Sequence, residues 1–142
     1  MPRVGLVSDT HGLVRPEVVA ALRGVDRILH MGDVGGPEVL AKLESVAPVC
    51  AVRGNMDRGA WAAELPETLT LDLVGTRVHL VHDLAALDLD PAAAGIGVVL
   101  YGHSHRPHRE ERDGVLYVNP GAAGPRRFDL PVSIAFLAPG PH

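Results

Sequence analysis

Hydrophobic positions along the chain fall into short runs of two kinds. The run near residues 3–8 is apolar almost throughout, which is typical of a strand that is covered on both faces, and two further strands are predicted near residues 26–31 and 48–53. Between them, apolar residues recur at helical spacing after Pro16 and again after Pro37, and proline suits the first turn of a helix. Strands that alternate with helices in this way predict a parallel sheet with right-handed crossovers.

The pattern changes in the second half of the chain. Residues 68–73 alternate apolar and polar side chains, and residues 77–82 follow a turn, so the two segments predict a β-hairpin. A short helix is expected from Asp88 to Ala94, capped by Asp88 or Asp90. The turn Asp113-Gly114 predicts a second hairpin. Four further strands are expected near residues 98–101, 107–112, 115–118 and 132–137.

Composition limits the classes of function that need to be considered. With 142 residues, 46% of them hydrophobic, the chain is expected to form a single domain over residues 1–142. A net charge of −4 and few aromatic residues argue against non-specific binding of nucleic acid. The single cysteine, Cys50, fits a reducing, cytoplasmic location, and no apolar run approaches the roughly 18 residues that a membrane span needs. The sequence leaves open whether the chain forms a homo-oligomer.

Five of the apolar runs end in side chains that bind metal ions. These side chains are Asp9, His11, Asp33, Asn55, His82, His103 and His105. Their oxygen and nitrogen donors suit Mn²⁺, Fe, Zn²⁺ or Ni²⁺ better than a thiolate site would. Seven ligands exceed the needs of one tetrahedral ion, but they fit two ions roughly 3.5 to 4 Å apart that share a carboxylate. Such a pair of ions would attract a phosphate group.

The order of these motifs resembles the calcineurin-like metallophosphoesterase superfamily, in particular its small bacterial and archaeal phosphodiesterase branch. The matching motifs are Asp9-x-His11, Gly32-Asp33, Gly54-Asn55-x-Asp57, His82, Gly102-His103-x-His105 and Asn119-Pro120-Gly121. The resemblance implies an α/β (α+β) fold, a four-layer sandwich of two mixed β-sheets flanked by helices. It also implies a hydrolase for a small phosphate ester, most readily a phosphodiester. Its nucleophile would be a hydroxide that bridges two divalent metals, with Mn²⁺ as the first choice.

The resemblance also assigns roles to the seven residues. One ion would be held by Asp9, His11, Asp33 and His105, with Asp33 bridging to the other ion. The second ion would be completed by Asn55, His82 and His103. Asp33, Asn55 and His11 are the residues assigned to catalysis. The alternative function is a protein-binding scaffold that has kept the fold and lost turnover, as the retromer subunit of this superfamily is thought to have done.

Two positions depart from the family pattern. Met56 stands where many members carry a histidine that is thought to protonate the leaving group, and a thioether cannot donate a proton. This predicts a preference for phosphodiesters or aryl phosphates with good leaving groups, with protonation left to solvent or to His11. Asp83 follows His82 where a glycine is usual, and its carboxylate could repel phosphate, orient His82 or point into solvent.

Several other polar residues lie near the motifs. Asp57 either caps the turn after the third strand or orients a metal ligand, and Arg53 either contacts phosphate or lies on the surface. Asn119 is expected to shape its loop rather than to react. His30 and His79 lie within predicted strands, so they are expected to be buried or to lie on a sheet face rather than to bind a metal.

Overall fold

A computed structural model describes residues 3–73, 75–126 and 130–138 of the chain. Its strands in these ranges are β1 (Val4–Val7), β2 (Arg27–His30), β3 (Val49–Ala51), β4 (Thr68–Leu73), β5 (Thr76–Val81), β6 (Val98–Leu100), β7 (His108–Arg112), β8 (Val115–Asn119) and β9 (Ala135–Leu137). Its helices are α1 (Pro16–Ala21), α2 (Pro37–Glu44) and α3 (Ala60–Ala63), with a 3-10 helix at Leu84–Ala86. No helix in the described ranges is long and apolar enough to cross a membrane.

The first sheet has the strand order β3-β2-β1-β9. Strands β1, β2 and β3 are parallel, and α1 and α2 connect them, as the alternating pattern predicted. Pro16 and Pro37 each begin their helix, where a missing backbone N–H costs nothing. Strand β9 then pairs antiparallel with β1, which makes this sheet mixed.

The second sheet has the order β4-β5-β6-β8-β7 and is also mixed. Strands β5, β6 and β8 are parallel, while β4 and β7 each return as the antiparallel arm of a hairpin. The β7–β8 turn has φ values of 52° at Asp113 and 77° at Gly114, the positive pair that a type I′ turn needs. Both predicted hairpins are therefore confirmed.

Apolar side chains from the two sheets meet in one core cluster, which places the sheets face to face. Leu6 and Leu29 of the first sheet and Leu80 and Leu100 of the second are at most 1% exposed. Burying a leucine side chain contributes roughly 2 kcal/mol to stability. This interior is the reason that β1, β2, β5 and β6 each carry apolar side chains on the face that meets the other sheet.

The outer faces of the two sheets are covered differently. On the first sheet, Leu22 and Leu43 pack around Ile28, so α1 and α2 form a helical layer. On the second sheet, the cluster around Tyr117 is covered by Leu87 and its neighbours in the segment between β5 and β6. The prediction of two mixed sheets is confirmed, but helices flank only the first of them in the described residues, apart from the 3-10 turn.

The helix predicted from Asp88 to Ala94 is not formed. The Ala94 N–H donates to the Asp90 carbonyl at 3.0 Å and the Ile96 N–H to the Pro91 carbonyl at 2.9 Å, so the segment makes successive turns. Gly95 follows at φ 74°, which ends the first turn before a helix can propagate. Strand β9 is also shorter than predicted, since Val132 forms an isolated bridge to Ala122 instead.

Candidate metal centre

Five strands from both sheets end at one place, and their loops carry the seven predicted ligands. Strands β1, β2 and β3 approach from the first sheet, and β5 and β6 approach from the second. Each of the seven side chains lies within 4 Å of another member of the set. The structure therefore brings all seven together, although they are spread over nearly one hundred positions of sequence.

One group of side chains is formed by Asp9, His11 and His105. The two imidazole Nε2 atoms are 3.3 Å apart, and the Asp9 Oδ1 atom lies 3.5 Å from that of His105 and 3.8 Å from that of His11. Ligand atoms of all three residues lie within 4.8 Å of one another, a spacing that a single metal ion can span. His105 and Asp9 are buried, while His11 is partly open to solvent.

A second group is formed around Asp33 and His82, and Asp33 joins it to the first. Its Oδ2 atom lies 3.2 Å from His82 Nε2 and 3.7 Å from His11 Nε2. Asn55 Oδ1 lies 2.9 Å from His82 Nε2 and 3.2 Å from His103 Nδ1. Ligand atoms of Asp9, Asp33 and His82 also lie within 4.8 Å of one another. Either aspartate is thus placed to serve both groups.

The ring of His82 is held in the tautomer that a metal ligand needs. Its Nδ1 atom is 2.7 Å from the Met31 carbonyl oxygen, which can only accept, so Nδ1 carries the hydrogen. In the neutral ring, the Nε2 lone pair then faces the oxygens of Asp33 and Asn55. Three acceptors directed at one another need a cation between them, and a divalent metal fits that place.

The pKa shifts of His82 and Asp33 also indicate that this centre favours a positive charge. Burial disfavours a charged His82 ring, yet the hydrogen bond and the charge of Asp33 outweigh it and raise the pKa of His82. Burial likewise tends to raise the pKa of Asp33, but hydrogen bonds from the His82 ring and the Met56 N–H lower it overall. A proton on His82 therefore supplies the balancing charge in the protein without metal.

Asp9 has one oxygen that the protein satisfies and one that it does not. Its Oδ2 atom accepts hydrogen bonds from the Ser8 hydroxyl at 2.7 Å and from the His103 N–H at 3.1 Å. Its Oδ1 atom is buried and has no hydrogen-bond donor among the described residues. Burial raises the pKa of Asp9. A buried oxygen left in this way is costly, so the donor set fits a bound cation.

Five of the seven candidate ligands have a left-handed backbone. Their φ values are 54° at Asp9, 46° at His11, 54° at Asp33, 73° at His103 and 63° at His105. Each such residue costs on the order of 1 kcal/mol, and the surrounding structure must hold it in place. Hydrogen bonds between loops do so, for example from the His11 N–H to the Asp33 carbonyl at 2.9 Å.

Asn119 fixes the loop that carries the last two histidines. Its Nδ2 group donates to the Gly102 carbonyl and the Ser104 hydroxyl, both at 3.1 Å. Its Oδ1 atom accepts from the Gly121 N–H at 2.9 Å, and the side chain is buried. The predicted loop-shaping role of Asn119 is confirmed, because two of these bonds hold the residues on either side of His103 and the third closes the turn at Gly121.

Asp57 ties two of the ligand loops together through their backbones. Its Oδ2 atom accepts from the N–H groups of Gly54 at 2.9 Å and Val34 at 3.1 Å, and its Oδ1 atom accepts from Gly35 at 3.0 Å. These bonds join the loop after β2, which carries Asp33, to the loop after β3. Asp57 thus holds together, through backbone N–H groups, the two loops that carry the candidate ligands Asp33 and Asn55.

Arg53 and Asp83 lie at the edge of the centre. The Arg53 guanidinium is partly exposed and pairs with Glu67 at 2.9 Å. Asp83 accepts a hydrogen bond from the Ala85 N–H at 3.0 Å and so caps the 3-10 helix. Its other oxygen faces His103 Nε2 at 3.8 Å. Asp83 is therefore not the group that orients His82, since the Met31 carbonyl does that.

His30 belongs to a buried hydrogen-bond chain that the sequence did not reveal. Its Nδ1 atom accepts from the Gly32 N–H at 3.1 Å, so the neutral ring carries its hydrogen on Nε2, which lies 3.0 Å from the Thr10 hydroxyl oxygen. The Thr10 hydroxyl donates in turn to the Val34 carbonyl at 2.8 Å. His30 is a core residue, as predicted, and it links the loops after β1 and β2.

The neutral state of His30 predicts a loss of stability in acid. Burial lowers the pKa of His30 to about 4. Above pH 6.5 neither the folded nor the unfolded chain binds a proton here. As the pH falls from 6.5 towards 4, only the unfolded chain gains the proton, so the free energy of unfolding should fall by roughly 3 kcal/mol. Urea unfolding of the metal-stripped protein at several pH values measures this loss.

Two variants separate this effect from that of the other histidines. His30→Gln should show a flatter dependence of unfolding free energy on pH between 6.5 and 4, because its side chain does not titrate. His108→Gln changes an exposed histidine of β7 and should keep the wild-type slope. Equal slopes for wild type and His30→Gln would contradict a neutral His30.

Known proteins resemble this chain along nearly its whole length. A family model described as the calcineurin-like phosphoesterase superfamily domain matches residues 3–139. A probable metallophosphoesterase from Methanothermobacter thermautotrophicus is 36% identical over 144 residues, covering 92% of this chain and 83% of that protein. Phosphodiesterase YfcE from Escherichia coli K12 is 29% identical over 161 residues, covering 96% of this chain and 88% of that protein. The solved structure of Vps29 from Chaetomium thermophilum has a TM-score of 0.85 at 18% identity, covers 99% of this chain and 83% of that one, and shows likeness of fold alone.

Proposed function

Because the chain belongs to the calcineurin-like phosphoesterase superfamily, we propose that it hydrolyses phosphodiesters with two divalent metal ions held at this centre, Mn²⁺ first among them. One observation carries the proposal. Lone pairs of His82, Asp33 and Asn55 converge with no hydrogen between them in the neutral centre. Relatives named as phosphodiesterases support the choice of substrate class.

The seven side chains would divide between the two ions. His11 and His105 would hold the first ion with Asp9, and His82, Asn55 and His103 would hold the second. Asp33 would bridge, since its Oδ2 atom lies between rings of both groups. When bound, two divalent ions supply positive charge beside the phosphoryl oxygens and lower the pKa of a water molecule that attacks phosphorus.

Residues of the chain itself would position the histidines and leave protonation of the leaving group to a separate donor. The Met31 carbonyl and the Asn119 amide fix the rings and loops of the histidines, so that little reorganisation is needed when substrate binds. Met56 lies next to the centre with an exposed thioether, which cannot protonate a leaving group. Protonation would come from solvent or from His11, and esters with good leaving groups should react fastest.

Metal-dependent hydrolysis of bis(p-nitrophenyl) phosphate tests the proposal. The metal-stripped protein should be inactive, and added Mn²⁺ should restore turnover, with Fe²⁺, Zn²⁺ and Ni²⁺ assayed beside it. His103→Ala should lower kcat/KM by about 100-fold, because it removes one ligand of the second ion. His108→Ala is the matched control, since this histidine is similarly exposed but lies outside the centre.

The outcomes of this assay distinguish a phosphodiesterase from a protein-binding scaffold. Turnover that depends on Mn²⁺ and is lost in His103→Ala but kept in His108→Ala supports the proposal. A folded protein that hydrolyses no activated ester with any of the four metals would contradict it. That result would favour the protein-binding scaffold, and Met56→His would then show whether the missing histidine is responsible.

A further inference from the structure

Ser8 is a buried residue directly after β1, and its hydroxyl group contacts one of the candidate ligands. The hydroxyl donates to the Oδ2 atom of the next residue, Asp9, at 2.7 Å. Both side chains are 0% exposed, so solvent cannot replace either partner of this hydrogen bond. A short bond between two buried polar side chains at the centre calls for an account of what it does there.

The backbone of Asp9 is what makes this contact possible. Successive side chains of a strand point to opposite faces, so an extended chain would keep Ser8 and Asp9 apart. The left-handed φ of 54° at Asp9 ends this alternation, and the carboxylate comes within reach of the Ser8 hydroxyl. The backbone on both sides is held, because the Asp9 N–H donates to the Gly32 carbonyl and the Ala123 N–H donates to the Ser8 carbonyl, each at 3.0 Å.

The hydrogen-bonded pair packs against the backbone of Gly102. A Cβ atom at Gly102 would overlap the Ser8 Oγ atom and would lie 2.6 Å from the Asp9 Oδ2 atom. Glycine at this position therefore leaves the space that the hydroxyl and the carboxylate occupy. The close packing confines the Ser8 hydroxyl to the side of Asp9.

The two oxygens of Asp9 consequently have different surroundings. The Oδ2 atom accepts from the Ser8 hydroxyl and from the His103 N–H, whereas the Oδ1 atom faces the Nε2 atoms of His105 at 3.5 Å and His11 at 3.8 Å. The terminal torsion of an aspartate is broad, so the bonds to Oδ2 fix the plane of the carboxylate and the direction of Oδ1. Oδ1 is thus directed at the two histidines assigned to the first ion.

We propose that Ser8 is a positioning residue, which holds the Asp9 carboxylate so that Oδ1 alone is offered to the first ion. This inference rests on the proposed function, in which Asp9, His11 and His105 hold that ion. Hydrogen bonds that orient a metal ligand contribute about 10- to 100-fold to metal affinity. The lower end of this range is expected here, about tenfold, because the His103 N–H still holds Oδ2 when the Ser8 hydroxyl is removed.

Binding of Mn²⁺ to the metal-stripped full chain, followed by the electron paramagnetic resonance signal of the free ion, tests this role. Two backgrounds separate the two ions. His103→Ala removes a ligand of the second ion but keeps the backbone N–H that bonds Asp9, and His11→Ala removes a ligand of the first ion. Adding Ser8→Ala should weaken Mn²⁺ binding about tenfold in the His103→Ala background and leave it unchanged in the His11→Ala background.

Two further variants separate the hydrogen bond from packing. Ser8→Cys keeps a side chain of similar shape, but a thiol is a weak donor, so it should weaken binding as Ser8→Ala does and replaces that variant if it fails to fold. Ser133→Ala is the matched control, because its hydroxyl also donates at 2.7 Å, but to the Pro120 carbonyl instead of a candidate ligand. It should bind Mn²⁺ as the wild type does. Urea unfolding of the metal-free proteins shows which variants fold.

A loss confined to the His103→Ala background supports the role of Ser8. Unchanged Mn²⁺ binding in a folded Ser8→Ala or Ser8→Cys protein, an equal loss in both backgrounds, or an equal loss in Ser133→Ala would overturn it. The phosphodiesterase is judged separately. A wild-type protein that binds two Mn²⁺ ions without hydrolysing bis(p-nitrophenyl) phosphate would contradict the enzyme and leave the role of Ser8 standing, whereas a wild-type protein that binds no Mn²⁺ would overturn both.

Discussion

Replacing Asp33 with alanine should lower kcat/KM for bis(p-nitrophenyl) phosphate by about 1000-fold or more. Asp33 is the carboxylate that lies between the two groups of ligands, 3.2 Å from His82 and 3.7 Å from His11. In the proposed centre, loss of Asp33 would leave neither ion with its full donor set and would remove the charge that holds the two ions close together. The loss should appear in kcat/KM and in the metal content of the Mn²⁺-loaded protein, which should fall below two ions per chain.

Asp72→Ala provides the control for this variant. Asp72 lies on β4, where its exposed carboxylate pairs with Arg77 at the surface, so its removal should change neither metal content nor turnover. Thermal unfolding of the metal-free proteins shows whether Asp33→Ala still folds. A folded Asp33→Ala that keeps two bound ions and wild-type turnover would rule out the bridging role.

The second large effect is expected for Gly54→Ala, which adds only one methyl group. A Cβ atom at Gly54 would lie 2.2 Å from both the backbone nitrogen and the Oδ1 atom of Asp33. Backbone cannot rotate away as a flexible side chain can, so the loop after β2 must shift. We expect the free energy of unfolding to fall by about 1 to 3 kcal/mol. A displacement of the Asp33 carboxylate should also lower kcat/KM by about 100-fold.

Gly75→Ala separates the steric effect from the general cost of replacing glycine. Gly75 has a φ of 79° in the β4–β5 turn, and a Cβ atom there would meet nothing within 4 Å. This variant should lose about 1 kcal/mol of stability through its left-handed backbone and keep full turnover. Urea unfolding and the aryl phosphodiester assay measure both quantities. Wild-type activity in Gly54→Ala would show that the close approach to Asp33 is not needed.

Much of the fold could be predicted because its strands and helices have local patterns. The units from β1 to β3 follow from apolar runs separated by proline-initiated helices, and Asp113-Gly114 has the residue types that a type I′ turn needs. The order of strands within the sheets could not be predicted, because β9 joins β1 across more than one hundred residues. The segment after Asp88 has helix-forming alanines, but the glycines that follow limit it to turns.

The candidate site could also be predicted only in part. The closeness of the seven candidate ligands could be predicted, because side chains at the ends of strands gather at one edge whatever the strand order. The supporting groups were less visible. The Met31 carbonyl that fixes His82 is a backbone group with no sequence pattern of its own, and the chain from His30 to Thr10 depends on the spacing of two strands. For Asp83 the sequence left three interpretations open, and the contacts that it makes, with the Ala85 N–H and with His103, depend on the bend after β5.

The left-handed backbone at five candidate ligands means that this centre cannot be transplanted as a set of side chains. A designed protein that presents the same aspartates and histidines from ideal strands or helices would direct their Cβ atoms differently, and the rings would not converge. The loops after β1, β2 and β6 would have to be copied with their torsion angles and with the side chains that hold them, including Asp57 and Asn119. A designer would therefore have to transfer these loops together with the side chains that hold them. The scaffold should be chosen so that the spacing of its strand ends matches that of this protein.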